Sequence, residues 1–303
     1  MTKIENNILL FSITLCWAAS YIFIKSLPPD LSSFAYLTFT TGIASLILLV
    51  VFFNQLRKIT IKLVKKAAFL SILLTTNLIL EKNGISLLSA SNASFLAALT
   101  IIFVPLLMLF LKEKPTINNV LGAAIIVLGL CFANNFSIQG LFNRGAMYML
   151  FGCLSSAIYI ISACRFAKEE NPLLIGITQM CFTAIISFTL WFFEDSRTFL
   201  SINYTRELLS SIFVLAFFSK AYAYIILMFS QKYASPISVT VIGSTEPVVT
   251  LLLAVMIPVA FGEAEKLSVF SIFGAMMIAI GAVVAGTAFL RRKKNEEKEV
   301  PCN

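Results

Sequence analysis

The sequence predicts an all-α integral membrane protein: ten transmembrane helices arranged as two inverted five-helix repeats. Three observations lead there. The composition is too apolar for a soluble domain, ten apolar runs have membrane-crossing length, and a glycine-spaced block in the first half recurs in the second.

The 303 residues are 59% hydrophobic and 13% charged, with mean hydropathy +0.91. A soluble fold must cover its surface with polar side chains, and 23 Lys and Arg with 15 Asp and Glu cannot do so beside 28 Phe. The net charge of +8 would mark a nucleic-acid binder if it formed a basic face interleaved with aromatics. It falls instead into two short clusters, Arg57 to Lys66 and Arg291 to Lys298, which read as juxtamembrane flanks. Nucleic-acid binding is excluded on this pattern. With no His and no CxxC among the six cysteines, the spacing offers no metal site, and no cofactor is expected.

About 20 residues at 1.5 Å each cross a hydrocarbon core of about 30 Å. Runs of that kind lie at approximately 8–25, 34–53, 67–88, 92–111, 120–136, 145–164, 173–193, 208–230, 237–261 and 269–290. The first, with Trp17-Ala18-Ala19-Ser20 near its end, imitates a cleavable signal peptide, but its apolar stretch continues through Ile24, so it reads as an uncleaved span. The connections are short and leave no room for a soluble domain.

Positive charge retained in cytoplasmic loops sets orientation. Of the 23 basic residues, one set of alternate connections keeps only Lys25, Arg144, Arg197, Arg206 and Lys266. Lys82 and Lys220 fall inside spans, and all the others lie on the opposite side with both termini. A multi-pass protein of the cell membrane with cytoplasmic termini follows.

Leu121-Gly122-Ala123-Ala124-Ile125-Ile126-Val127-Leu128-Gly129 recurs as Phe273-Gly274-Ala275-Met276-Met277-Ile278-Ala279-Ile280-Gly281. Ser89 to Ser94 answers Tyr233 to Ser238, and Glu113 and Glu263 close the preceding span of each half. Residues 1–140 and 141–290 therefore read as two repeats, with 291–303 a charged cytoplasmic tail. Five spans is an odd number, so the second copy enters the membrane from the opposite side, the architecture of alternating-access carriers. The four glycines read as helix-packing surface.

These residues resemble the EamA-like carriers of the drug/metabolite transporter superfamily over nearly the whole chain. Trp17 to Lys25, a Trp eight residues before a Lys, is similar to the first-helix motif of that family. Ser89 to Leu96, Phe103-Val104-Pro105-Leu106-Leu107 and Lys112-Glu113-Lys114-Pro115 resemble its third-to-fourth helix region. Ser235-Pro236, Glu246-Pro247-Val248 and Gly262-Glu263 resemble the second-half counterparts. The chain departs from the family pattern at Thr38, Ser156 and Lys220, and around Ile257-Pro258-Val259. The resemblance implies a transporter of small organic solutes, amino acids or related metabolites, working as an exporter, and no enzyme.

Candidate site residues come from the cost of charge in lipid, about 2.5 to 3.5 kcal/mol per group, which requires a partner or a water-filled cavity. Lys220 and Glu246 lie at similar depth, roughly 18 to 21 Å from the turn at Lys232, and the simplest expectation is a Lys220 to Glu246 pair near the midplane. Pro247 cannot donate to the Gly243 carbonyl, which predicts a broken helix beside Ser244 and Thr245. Asn77, Glu81 and Lys82 make the third span polar toward its outer end, and Glu81 and Lys82 point about 100° apart. Pro105 is expected to bend the fourth span. The candidate substrate-binding or coupling set is thus Lys220, Glu246, Glu81, Asn77, Tyr224 and Thr245, with Trp17, Tyr21, Tyr159, Gln179 and Tyr222 as further candidate walls. Thr76 and Ile102 occupy the first-half positions matching Lys220 and Glu246.

No GxxxxGK[ST] phosphate loop is present, so transport is expected to run on a solute gradient or ion exchange, with Glu246 and Glu81 as candidate proton carriers. Two alternatives stand beside this reading: an exchanger of anionic solutes or sugar nucleotides using Lys220, and an intramembrane enzyme. The latter has against it the lack of His, of Asp within a span and of Ser with an adjacent base. The lipid bilayer and the solute are the expected partners, and the assembly is a monomer or homodimer.

Overall fold

In a computed structural model of the chain, the described residues are 2–28, 31–112, 115–133, 143–194, 198, 202–256 and 268–296, the side chains of Lys3 and of residues 286–296 excepted. In lipid every backbone polar group has to be satisfied within the protein, and all the regular structure among the described residues is helical. The helices are α1 (Lys3–Lys25), α2 (Ser33–Val51), a short 3-10 turn (Phe53–Lys58), α3 (Ile61–Leu87), α4 (Ala90–Ala97), α5 (Thr100–Phe110), α6 (Ile117–Ala133), α7 (Arg144–Glu169), α8 (Pro172–Glu194), α9 (Arg206–Val214), a π-helical stretch (Leu215–Tyr222), α10 (Ala223–Tyr233), α11 (Pro236–Gly243), α12 (Glu246–Met256) and α13 (Val269–Glu296).

Among the described residues, eight spans are long and apolar enough to cross a membrane, with α4–α5, α9–α10 and α11–α12 each counting as one. Two shorter apolar helices, Ile117–Ala133 and Val269–Ala285, occupy the places expected for the fifth and tenth. Glu113, Glu263 and the Ile257-Pro258-Val259 segment lie outside the described residues.

Starts are set by capping, which meets the unpaired N–H groups of the first turn. Thr2 and Glu5 form a capping box for α1. Ser32, Thr60, Ser89, Asn143, Thr205 and Ser235 each accept from the backbone N–H three residues on. Within the spans, hydroxyls fold back on their own helix: Thr40 to the Tyr36 carbonyl at 2.9 Å, Thr41 to Leu37 at 2.6 Å and Ser45 to Thr41 at 2.6 Å.

Packing joins the two halves rather than separating them. α3 lies along α7 for its whole length. At one end Lys66 bonds Glu169 and Glu170, both at 2.7 Å; midway Ser155 Oγ donates to the Leu73 carbonyl at 2.8 Å; at the other end Gly84 faces Met149 and Gly145 faces Leu88. Part of the first basic cluster is therefore a helix clamp, with the Lys66 side chain only 12% exposed, rather than a freely solvated flank. α2 packs on α8, and α6 on α13.

The α6–α13 contact is built on the repeated glycines. A Cβ on Gly122 would lie 2.5 Å from the Gly281 carbonyl oxygen, and one on Gly274 would lie 2.5 Å from the Gly129 carbonyl oxygen. Gly122 faces Gly281 while Gly129 faces Gly274, so the two helices cross antiparallel and each repeated residue meets the counterpart of the other.

Two spans are broken alike. α4 stops at Ala97 and α5 restarts at Thr100; α11 stops at Gly243 and α12 restarts at Glu246. Counted from the caps Ser89 and Ser235, the breaks fall at the same place. The counterpart of Glu246 is therefore Thr100 and not Ile102. Pro105 sits inside α5, so the break in the fourth span lies upstream of the expected bend.

Candidate functional site: a polar cavity between the spans

A cavity opens among α1, α3, the α4–α5 break, α7, the π-helical stretch, α10 and the α11–α12 break. With the open solvent at its mouth included, it encloses about 1020 Å³ of space not filled by atoms. Five of the six candidate residues line it: Lys220, Glu246, Glu81, Asn77 and Tyr224. Thr245 does not; its hydroxyl donates to the Ile242 carbonyl at 2.7 Å, inside the break itself.

Lys220 is carried in by the π-helix, an unusual winding that frequently marks functional positions. The looser turn leaves the Ser219 carbonyl to accept from Trp17 Nε1 at 3.4 Å. Lys220 is 3% exposed, and its ammonium lies 5.9 Å from the Tyr36 ring centroid and 5.7 Å from that of Tyr224, within cation–π range. Tyr224 is held against Trp17, with centroids 5.6 Å apart, and edge-on to Tyr159 at 6.4 Å. Gln179 Nε2 donates to the Tyr159 hydroxyl at 3.0 Å. The result is one continuous aromatic wall.

The expected Lys220 to Glu246 pair does not form. Every ion pair among the described residues involves Glu169 or Glu170 with Lys62, Lys66 or Arg165, at the far end of α3 and α7. Glu81 and Glu246 both share the cavity with Lys220, and among the described residues neither forms an ion pair with it. Similar depth along two spans does not fix direction around each helix, so it does not by itself pair the two side chains.

Tyr21 lines the same cavity as the two carboxylates, Glu81 and Glu246. Glu246 opens α12, where the helix N-terminus favours negative charge. Pro247 follows at once, and the chain closes the break through Ser244 N–H to the Thr240 carbonyl at 2.8 Å and Thr245 N–H to Ile242 at 3.1 Å.

Other candidates fall outside the cavity. Lys82 is buried and donates to Ser86 Oγ at 2.7 Å, diverging from Glu81 as helical geometry requires. Lys25 caps the C-terminal end of α3 through the Ser86 carbonyl at 3.3 Å. Tyr222 bonds Ser12 at 3.0 Å, and Thr76 is exposed with its hydroxyl on the Ile72 carbonyl. Tyr36 was not singled out from sequence. Its only signal was its place two residues before Thr38, one of the positions where the chain departs from the family pattern.

The family model of the EamA-like transporter family matches residues 6–135 and 143–287. The chain belongs to the EamA-like transporter family. It matches no curated protein. A solved structure titled only as the crystal structure of a protein is similar at 16% identity, with a TM-score of 0.71 over 94% of this chain and 98% of that one. At that identity the likeness concerns the fold. For this EamA-like transporter, the family match falls into two stretches, and residues of both line the cavity.

Proposed function

We propose that the chain is a secondary carrier of the cell membrane that exports amino acids or related small metabolites by alternating access, with the cavity as its solute site. The observation that carries this reading is the placement of Lys220, Glu81 and Glu246 in one aromatic-walled cavity deep between apolar spans. Charges there are costly unless they serve a solute or water pathway. Lys220 faces a solute carboxylate, the Glu81 and Glu246 side faces an ammonium, and Trp17, Tyr21 and Tyr224 face the apolar remainder.

Residues 1–140 and 141–290 are read as two inverted repeats, with 291–303 a cytoplasmic tail and both termini inside. The exchange of glycine partners between α6 and α13 supports an inverted pair, since a two-fold axis in the membrane plane relates contacts in that way. The bodies that move do not coincide with the sequence halves. α3 and α7 are joined at both ends, so access changes by displacing cross-half helix pairs around the broken spans.

Lys220 makes no ion pair among the described residues, which favours one rival, an exchanger of anionic solutes. Two carboxylates in the same cavity weigh against a polyanion. Counterflow in proteoliposomes decides. Vesicles preloaded with a mixture of unlabelled amino acids are expected to accumulate labelled ones, and empty vesicles to show slower net uptake. Uptake of phosphorylated solutes alone, strictly dependent on a trans counter-solute, would replace the reading with the anion exchanger.

A further inference from the structure

A second recess lies between the C-terminal half of α1 and the place where α9 passes into the π-helical stretch. Ala19, Ser20 and Phe23 form one side of it, and Leu215, Phe218 and Ser219 the other. Packed interiors leave few voids of this size: with its open mouth included it encloses about 510 Å³, against roughly 30 Å³ for one water. The groove exists because Ala19 and Ser20 put small side chains where two helices pass. At its rim Leu15 is 43% and Phe218 50% exposed, on helices of membrane-crossing length, so the mouth faces the bilayer.

Depth and chemistry decide what fills it. At 1.5 Å per residue, Leu15 to Phe23 lie roughly 3 to 15 Å from the Lys25 end of α1, and Val214 to Ser219 roughly 12 to 20 Å from the Arg206 end of α9. Both stretches fall within a hydrocarbon core of about 30 Å. Water needs two or more polar partners to settle in such a place. Ala19, Phe23, Leu215 and Phe218 carry no polar side-chain atom, and the Ser20 hydroxyl is spent on the Trp17 carbonyl at 2.7 Å. Hydrocarbon is the matching occupant.

The groove also backs onto the polar cavity, because Ser20 and Ser219 line both. At that point the wall is only as thick as these two serines. One long hydrogen bond ties it together, from Trp17 Nε1 to the Ser219 carbonyl at 3.4 Å, beyond the usual range of about 2.7 to 3.2 Å. Lys220 is the next residue in the chain.

We propose that an acyl chain of a membrane phospholipid lies in this groove against Ser20 and Ser219 and completes the cavity wall from the bilayer side. It supplies the packing that the π-helical stretch carrying Lys220 lacks on that face. The apolar tail of a solute fits less well, since Ser20, Ser219 and the Trp17 bond stand between the groove and the polar cavity, whereas Leu15 and Phe218 open it to lipid. This occupancy is independent of what the cavity carries.

Trp17 reports on the groove, because the chain has only two Trp and this indole bonds the Ser219 carbonyl. Full-length Trp191→Phe protein would be reconstituted in vesicles of phosphatidylcholine, plain or brominated at the middle of the acyl chains. Bromine quenches indole fluorescence only near contact, and the brominated lipid is expected to quench Trp17. Ala19→Phe in that background, whose ring would fill the groove, should remove about half or more of the quenching, and the smaller Ala19→Leu should remove less. If Trp191→Phe fails to fold, the wild type with and without Ala19→Phe supplies the same difference, since the Trp191 contribution is common to both. Absence of quenching, or equal quenching with and without Ala19→Phe, would overturn the lipid site. Quenching by a brominated alkylammonium in plain vesicles, with none from brominated lipid, would place a solute tail in the groove and overturn it equally. Transport plays no part in the readout, so loss of counterflow would refute the carrier reading and leave the lipid site standing.

Discussion

Substituting Gly122 with Ala tests how tightly α6 and α13 are locked. The new methyl carbon would stand 2.5 Å from the Gly281 carbonyl oxygen, 2.6 Å from the Ala285 Cβ and 2.8 Å from the Ala285 nitrogen. None of these atoms belongs to a rotatable side-chain end, so relief requires the helices to part by about 1 Å to regain ordinary contact distances near 3.5 Å. Overpacking of this kind costs about 1 to 3 kcal/mol. Replacing Gly in a helix also gains up to about 1 kcal/mol of helix propensity, and that contribution must be subtracted. Gly42→Ala supplies the reference, because nothing lies within 4 Å of its Cβ position in α2. Unfolding in mixed micelles titrated with a denaturing detergent, followed by loss of helix signal, gives the two free energies. Gly122→Ala is expected to fall below Gly42→Ala by about 1 to 3 kcal/mol, a shift of about five- to 150-fold in the unfolding equilibrium. Gly274→Ala, with its clash against the Gly129 carbonyl, should match it. Equal stability of Gly122→Ala and Gly42→Ala would refute the packing argument.

Two further outcomes follow from the cavity. Counterflow should fall steeply in Lys220→Met and in Glu81→Gln, and the Lys220→Met/Glu81→Gln double variant should be no worse than the worse single one, because those two groups share one cavity; additive losses would separate them. Tyr36→Phe should leave both stability and counterflow near wild type or better, since its hydroxyl is buried without a hydrogen-bond partner among the described residues. Tyr36→Leu should lose a cation–π contact of about 0.5 to 2 kcal/mol and slow transport, and identical behaviour of the two variants would deny the ring its part.

Much of this architecture was legible in the sequence because hydrophobic length is a one-dimensional signal. Among the described residues, eight of the expected spans coincide with helices, whole or broken, long enough to cross a membrane, and the other two with shorter apolar helices. The glycine repeat announced the α6–α13 contact, and the cost of charge in lipid picked out Lys220, Glu81 and Glu246, all of which line one cavity. Direction around each helix was harder to read. The π-helical winding of Leu215–Tyr222 is not encoded in any periodicity, and neither is the place of the Lys220 ammonium over the Tyr36 and Tyr224 rings. Pro247 correctly marked a break, whereas Pro105 pointed to a bend downstream of the real one at Ala98–Leu99, where the chain is held by Ala98 N–H to Ser94 and Leu99 N–H to Leu96. Thr245 was misjudged for a local reason: in the break, its hydroxyl serves the backbone rather than the cavity.

The opposed orientation of the two five-helix units is tested most directly at a pair of matched positions. Leu87 ends α3 and Tyr233 ends α10, each just before the cap of the next, broken span, and both side chains are more than half exposed. In a cysteine-free background, Leu87→Cys and Tyr233→Cys would be treated on intact cells with a membrane-impermeant maleimide. Inverted copies require Leu87→Cys to react from outside and Tyr233→Cys to react only after the cells are permeabilised. Labelling of both from the same side would contradict the account.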